Sequence, residues 1–149
     1  MRTLALAFSI LTLPAFACPN LAGKYATCRS STGATGGTSN LVVTQKVINN
    51  VTHFTIVSTD DDTRERITET YIADGKKRVA SQSEDGFTIK TETIASCKGA
   101  ELNLSIKAFL NTDLMADMKM KVTKNGTTMT QVATGTSMGE PIKDTVICK

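Results

Sequence analysis

The stretch Glu101–Leu110, ELNLSIKAFL, alternates polar and apolar residues over its first seven positions, and Met118–Thr123, MKMKVT, does the same. Successive side chains of a β-strand point to opposite faces. This period of two therefore predicts strands with one buried and one solvated face, and it does not fit the spacing of an amphipathic helix. The shared apolar face comprises Leu102, Leu104, Ile106, Met118, Met120 and Val122.

Turn residues divide the rest of the chain, from Gly23 onward, into short segments of similar length. Asp74-Gly75 and Asn125-Gly126 are dipeptides typical of two-residue hairpin turns, and Asn49-Asn50 is expected to turn the chain between two further strands. Short strands at intervals of roughly 8–12 residues are typical of an antiparallel meander that closes on itself. We therefore expect an all-β fold, an antiparallel up-and-down β-barrel of about eight to ten strands. The irregular connection Leu110–Met118 has room for one short helical turn.

The first 17 residues predict export. Arg2 precedes an apolar run, Pro14 interrupts that run, and Ala15-Phe16-Ala17 has the small-x-small pattern after which signal peptidases cut. The run is too short to span a bilayer, and no later segment is apolar enough to do so. We expect a signal peptide over residues 1–17 and a single domain over residues 18–149, secreted or periplasmic, with no membrane span.

The four cysteines, Cys18, Cys28, Cys97 and Cys148, all follow the expected cleavage site. An even number in an oxidising compartment predicts two disulfides, for which three connectivities are open. A turn in the chain between the first two cysteines favours Cys18–Cys28 and leaves Cys97–Cys148. The second disulfide would close a long loop and would add roughly 4 kcal/mol to the free energy of unfolding in the chain-entropy model. A lipid-modified Cys18 is the alternative, and it would leave one cysteine unpaired.

The charges of the chain are nearly balanced and interspersed. Loss of Arg2 with the signal peptide reduces the 17 basic residues to 16, against 14 acidic ones. No basic stripe argues for a nucleic-acid partner. The absence of Trp leaves few aromatic side chains on which bases or sugars would stack.

The opening Leu21-Ala22-Gly23-Lys24-Tyr25 resembles the Leu-x-Gly-x-aromatic motif of calycin barrels, the group that contains lipocalins and avidins. In that group the glycine and the aromatic residue begin the first strand and close the barrel floor. The resemblance implies a barrel with a cavity for a small ligand. Because the chain has Tyr25 in place of Trp, and no Trp elsewhere, the tryptophan-walled biotin pocket of avidins is not implied.

No constellation of residues predicts catalysis. His53 is the single histidine, no nucleophile elbow accompanies it, and a surface position opposite Phe54 and Ile56 is expected. The run Asp60-Asp61-Asp62 lacks the spacing of a calcium-binding loop and predicts a solvated turn. We expect no enzyme activity, no cofactor and no metal site.

Three functional hypotheses follow. The first is a monomeric lipocalin-like protein that holds a small apolar ligand against the six apolar residues named above. The second is a protein-interaction module, such as an inhibitor of an exported hydrolase, that acts through the loops Gly33–Ser39 or Thr59–Thr63. The third is a copper carrier using Met115, Met118 and Met120, since thioethers bind Cu(I). The alternative for these methionines is an ordinary place in the core, because Met118 and Met120 share a strand face.

Overall fold

The computed structural model describes residues 18–33 and 38–149. The expected signal peptide, residues 1–17, lies outside the described residues, as do residues 34–37 of the loop Gly33–Ser39. Within the described part, all regular elements are β-strands. The ten strands are β1 (Gly23–Ser30), β2 (Thr38–Ile48), β3 (Val51–Asp60), β4 (Arg66–Ile72), β5 (Lys77–Glu84), β6 (Phe87–Lys98), β7 (Glu101–Leu110), β8 (Asp113–Asn125), β9 (Thr128–Ser137) and β10 (Glu140–Cys148).

The strands form one antiparallel sheet in the order β4-β3-β2-β1-β10-β9-β8-β7-β6-β5. Each strand pairs with its successor in the chain except β4, and the first and last strands pair with each other. The sheet curls into a half-barrel whose free edges are β4 and β5. The predicted all-β, antiparallel up-and-down architecture is confirmed. It is also consistent with the calycin-like fold that the N-terminal resemblance implies.

The hairpin turns separate correct from incorrect sequence predictions. Asn49 and Asn50 have φ of 50° and 61°, the two positive values that a type I′ hairpin turn requires. The hairpin predicted at Asp74-Gly75 is wrong, because β4 and β5 do not pair across it. The helical turn considered for Leu110–Met118 is also wrong. A β-bulge in the β7–β8 ladder accounts for the irregular pattern there, and it leaves Met115 without an opposite residue.

The core lies at the end of the half-barrel where β1 begins. Leu21 and Tyr25 are each 1% exposed, and the Tyr25 hydroxyl donates a hydrogen bond to the Leu21 carbonyl oxygen at 2.9 Å. The Lys124 ammonium donates to the Ala22 carbonyl oxygen at 2.6 Å. The segment Leu21–Tyr25, here called the floor, is therefore packed into the core at this end of the sheet.

Two disulfides join Cys18 to Cys97 and Cys28 to Cys148. The pairing expected from the short loop between Cys18 and Cys28 is therefore wrong. The sheet explains the difference: Cys28 lies directly opposite Cys148 in the β1–β10 ladder, so the topology and not the loop length selects its partner. Cys18 precedes the floor and reaches the end of β6. Because the Cys18 sulfur is bonded to Cys97, it is not available for the thioether of a lipid anchor.

Candidate functional site

The half-barrel opens between β4 and β5, which follow each other in the chain but do not pair. The opening contains a cavity of about 160 Å³, here called the slot. Its walls are Thr70–Ile72 from β4, Arg78–Ala80 from β5, and Thr91, Thr93 and Ala95 from β6. Two sheet edges and one sheet face therefore border it, and it is open to solvent on its remaining side.

An ion pair fixes the connection at the base of the slot. The Arg78 Nη1 and Nη2 atoms donate to the two carboxylate oxygens of Asp74, each at 2.8 Å. Nη1 also lies 3.3 Å from the Ile72 carbonyl oxygen. The hydrogen bonds from Arg78, followed by one from the Lys76 backbone N–H, hold the pKa of Asp74 well below its ordinary value. The two-point Arg–carboxylate geometry gives this connection a defined shape.

A backbone hydrogen bond also joins the β4–β5 connection to β6. The Gly75 N–H donates to the Ala95 carbonyl oxygen at 2.9 Å, and Gly75 has a φ of 73° that glycine adopts without steric cost. The Ala73 N–H donates to the Thr52 carbonyl oxygen at 2.9 Å, which ties the other side of the connection to β3. Asp74-Gly75 thus forms a turn that spans the opening and does not begin a hairpin.

Tyr71 forms the β4 wall of the slot. Its side chain is half-buried and packs against the hydrophobic core, next to Ala73. Burial, and then the charge of the Glu69 carboxylate beside it, raise the pKa of Tyr71 far above its ordinary value. Glu69 is itself exposed. The phenol therefore stays protonated at physiological pH.

The volume of the slot limits what it accepts. An apolar cavity of roughly 150 Å³ in a protein interior binds benzene. A cavity of about 160 Å³ therefore has room for one small ring or a short branched chain. Ala80 and Ala95 contribute methyl groups to its walls, while Thr91 and Thr93 contribute both methyl and hydroxyl groups.

A second hollow of about 360 Å³ lies between β1 and β2, lined by Lys24–Ala26 and Asn40–Val42. The β2–β3 ladder is irregular there, between Ser39 and Val42. Its polar side chains, Lys24 and Asn40, are exposed. The hollow is lined by two strands only and is more open to solvent than the slot, so it would bury less of a ligand.

The six residues predicted to line a cavity share one face, as expected, and lie opposite each other in pairs. The pairs are Leu102 with Val122, Leu104 with Met120, and Ile106 with Met118. Leu102, Leu104 and Val122 are buried core residues, while Ile106 and Met120 pack against the core. Met118 is half-buried. None of the six lines the slot or the second hollow, although Leu104 lies opposite the slot residue Ala95.

His53 lies on the face of β3 opposite Phe54, which is fully buried, as the alternation predicts. In the aspartate run, Asp60 Oδ1 accepts hydrogen bonds from the backbone N–H groups of Asp62 at 2.9 Å and Thr63 at 2.7 Å. The Thr63 contacts lower the pKa of Asp60. The run therefore forms a hydrogen-bonded turn.

The methionines proposed to bind copper lie on β8. Met118 and Met120 share the inner face, and Met115 occupies the bulge. Of the two further methionines, Met129 is fully buried in the core, whereas Met138, 77% exposed in the β9–β10 turn, lies next to Met115 and donates its backbone N–H to the Met115 carbonyl oxygen at 2.6 Å. Among the described residues, no group of three or more His, Cys, Asp or Glu side chains is placed to hold a metal ion. Binding of Cu(I) by the thioethers stays a prediction.

The slot residues were not predicted from the sequence. Tyr71, Arg78 and Ala80 lie on strands without strong alternation, and no motif marks them. The spacing of Asp74 and Arg78 was one available signal. An acidic residue and an arginine four residues apart, with a glycine between them, are able to form an ion pair across a turn. A two-residue hairpin turn does not need such an ion pair, because the backbone hydrogen bonds between its two strands already fix its shape.

No family model, no curated protein and no solved structure matches the chain. The described residues contain no helix that is long and apolar enough to cross a membrane. The function must therefore be inferred from the geometry of the slot.

Proposed function

We propose that the chain is an exported, lipocalin-like binding protein that holds a small, largely apolar molecule in the slot and does not change it chemically. The observation that supports this function is the cavity of about 160 Å³ at the opening of the half-barrel. Ligand sites in proteins are commonly concave, mostly apolar and lined by a few placed polar groups. The slot has these properties on a small scale.

The slot is preformed, which favours binding. The Arg78–Asp74 pair and the hydrogen bond from Gly75 to Ala95 fix its base without a ligand. Tyr71 is held by its packing against the core. A site whose walls are already ordered loses less conformational entropy when it binds.

The position of the core also favours the slot over the rest of the inner face. Leu102, Leu104 and Val122 fill the inner face with their own side chains, each less than 5% exposed. A ligand there would have to displace packed side chains, at a cost of several kcal/mol. The proposed ligand therefore occupies the slot, between the edge strands β4 and β5.

The test uses single-ring probes, toluene and phenol, titrated into the protein while backbone amide signals are followed by NMR. We expect saturable shifts at Tyr71, Ala80 and Ala95. Ala80→Phe places a ring in the slot from an exposed position and should abolish these shifts. Ala26→Phe is the matched control, because Ala26 is also an exposed strand alanine but lines the second hollow. The absence of saturable shifts with both probes, or shifts that survive in Ala80→Phe, would refute the proposal.

A second candidate function is the protein-interaction module, favoured by one observation. The Arg29 guanidinium lies 3.1 Å from the Asp61 carboxylate, so the loop Thr59–Thr63 is joined to the end of β1. A loop held in place presents a defined surface to a partner. If this function holds, the protein should inhibit one of a panel of extracellular hydrolases, and shortening residues 61–63 should remove that inhibition. Inhibition that survives the shortening would exclude this loop as the contact.

A further inference from the structure

The two ends of the half-barrel carry different connections, because the strands run alternately up and down. The end where β1 begins, here called the floor end, holds the connections 49–50, 73–76, 99–100 and 126–127. The opposite end, here called the mouth end, holds the described connections 61–65, 85–86, 111–112 and 138–139. The charges in these connections and in the strand residues beside them differ between the two ends.

The mouth end is acidic. Its connection between β3 and β4 carries more carboxylates than guanidinium groups, namely Asp60, Asp61, Asp62 and Glu65 against Arg64 and Arg66. The other three described connections add acidic residues only, among them Asp85, Asp113 and Glu140. Arg29 pairs with one of these carboxylates, that of Asp61, at 3.1 Å. Negative charge therefore remains in excess at this end.

The floor end has the opposite balance. The acidic residues in and beside its connections are each paired with a cation, Asp74 with Arg78 at 2.8 Å and Glu101 with Lys121 at 3.5 Å. Three exposed lysines near this end have no ion-pair partner among the described residues: Lys46, Lys76 and Lys98. Their positive charges are therefore not compensated by the protein.

An apolar hairpin tip lies at the floor end. Val47 and Ile48, the last residues of β2, are 67% and 47% exposed. The Leu21 N–H donates to Gln45 Oε1 at 3.0 Å, so the floor contacts β2 two residues before Val47. The tip of the β2–β3 hairpin therefore continues past the contact with the floor, and its apolar side chains meet water.

Unpaired lysines lie directly behind this tip. Lys46 is two residues from Ile48 and shares its strand face. The Thr52 carbonyl oxygen accepts a hydrogen bond from the Ala73 N–H, so the connection that carries Lys76 lies against the same hairpin. Apolar side chains in front of cations are the arrangement that binds an anionic bilayer surface, because the apolar groups enter the interface while the cations meet lipid phosphates.

Exposed apolar side chains alone do not distinguish the two ends. At the mouth end Phe87, Leu114 and Met138 are 57%, 51% and 77% exposed. Each of them lies within two residues of an acidic residue in the sequence. An anionic surface therefore repels the apolar groups of the mouth end and attracts those of the floor end. Charge decides which end docks.

We propose that the floor end is a docking surface for a membrane that contains anionic phospholipids. Val47 and Ile48 enter the headgroup region, and Lys46, Lys76 and Lys98 face the lipid phosphates. The acidic mouth end then points away from the bilayer. The contact is peripheral, and it goes beyond the proposed function because it does not depend on a ligand in the slot.

The test measures co-sedimentation with vesicles of residues 18–149, which contain all ten strands and both disulfides. One set of vesicles is phosphatidylcholine alone, and the other is equal parts of phosphatidylcholine and phosphatidylglycerol. We expect binding to the anionic vesicles only. It should be lost at about 1 M salt, where the Debye length is about 3 Å. Dextran sulfate, a soluble polyanion without an apolar interior, is the comparison ligand.

Two matched pairs of variants locate the contact. Lys46→Gln should weaken binding to anionic vesicles by about fivefold, whereas Arg64→Gln, the loss of one exposed positive charge at the mouth end, should not weaken it. Ile48→Ser should also weaken binding by about fivefold, whereas Leu114→Ser changes a side chain of similar exposure at the mouth end and should have no effect. Thermal unfolding checks that all four variants are folded at the assay temperature.

Several results would overturn the proposal. Absence of binding to the anionic vesicles would exclude the docking surface, and equal binding to both sets of vesicles would exclude its electrostatic basis. A loss in Arg64→Gln or Leu114→Ser as large as in its floor-end counterpart would place the contact elsewhere. If dextran sulfate binds as tightly as the vesicles and Ile48→Ser binds both unchanged, the lysines recognise soluble polyanions and not a membrane. None of these outcomes depends on the ligand titrations of the slot.

Discussion

Replacement of Leu102 by alanine distinguishes a packed inner face from one that lines a cavity. Leu102 is fully buried, and its neighbours in the ladders are Cys97 on β6 and Val122 on β8. Leu114→Ala is the matched control, because Leu114 also lies on a strand but is 51% exposed. Both variants make the same chemical change, so the difference between them reports packing.

The magnitude follows from burial. Full burial of a leucine side chain contributes about 1.5–3 kcal/mol, and the cavity left by Leu→Ala raises the total cost to about 2–5 kcal/mol. Cys97 is tied to Cys18, which limits how far this neighbour moves to fill the space. We therefore expect Leu102→Ala to lower the free energy of unfolding by about 3–4 kcal/mol. Leu114→Ala leaves no enclosed cavity and should cost less than about 1 kcal/mol.

The assay is urea unfolding with the disulfides intact, followed by circular dichroism because the chain has no Trp. Linear extrapolation gives the free energy in water, and an unchanged slope confirms that the two variants unfold from comparable states. In thermal unfolding the same loss corresponds to a Tm lower by roughly 10–15 °C. If Leu102→Ala costs no more than Leu114→Ala, Leu102 borders open space, and the argument that moves the ligand to the slot is wrong.

Three further predictions test the Asp74–Arg78 ion pair, the disulfides and the close contact of β8 with β9 at Gly135. The pKa of Asp74 is lower in the folded protein than in the unfolded chain, so its stabilising effect is complete above about pH 4 and is lost as the pH falls through the folded value. The Asp74→Asn variant should thus be less stable than the wild type at pH 7, and its free energy of unfolding should fall less than that of the wild type between pH 5 and pH 2. Urea unfolding at each pH measures both. A variant with the same pH profile as the wild type would contradict this prediction. Under limiting reductant, the half-buried Cys18–Cys97 should be reduced before the buried Cys28–Cys148, as alkylation and mass spectrometry would show, and the reverse order would contradict the burial argument. Gly135→Ala should severely destabilise the protein, because a Cβ there would overlap the Asp117 carbonyl oxygen. Gly99→Ala is the control: a Cβ there meets open space and should cost only the strain of a φ of 57°. Equal melting temperatures of the two variants in thermal unfolding would contradict the close contact at Gly135.

The sequence predicted most of the strands because strand periodicity and turn chemistry are local. Glu101–Leu110 has the predicted bounds, and Asn49-Asn50 turns the chain where expected. The inner face of β7 and β8 was also predictable, since one buried face fixes the register of alternating residues. The disulfide partners were not, because the pairing of β1 with β10 joins residues more than a hundred positions apart.

The candidate site was predicted only in its general form. The alternation located the inner face of the half-barrel, but residues that alternate strongly, such as Leu102 and Leu104, are the ones that pack tightly. A cavity forms where side chains do not pack closely, so the residues that line it show a weaker alternation of polar and apolar positions. Tyr71, Arg78 and Ala80 became recognisable only when the topology placed two strand edges on either side of the same opening.

The opening falls between β4 and β5 for a reason that is visible in their inner-facing residues. The inner face of β4 carries Glu69, and that of β5 carries Arg78 and Gln82, opposite Thr93 and Ile89 of β6. A closed β4–β5 ladder would move Glu69 out of water into the barrel interior, where an ionised carboxylate without a partner is costly. Arg78 does not offset that cost, because it is already paired with Asp74. In the open sheet Glu69 stays exposed to water, so an unpaired β4–β5 edge avoids the cost that closure would impose on this carboxylate.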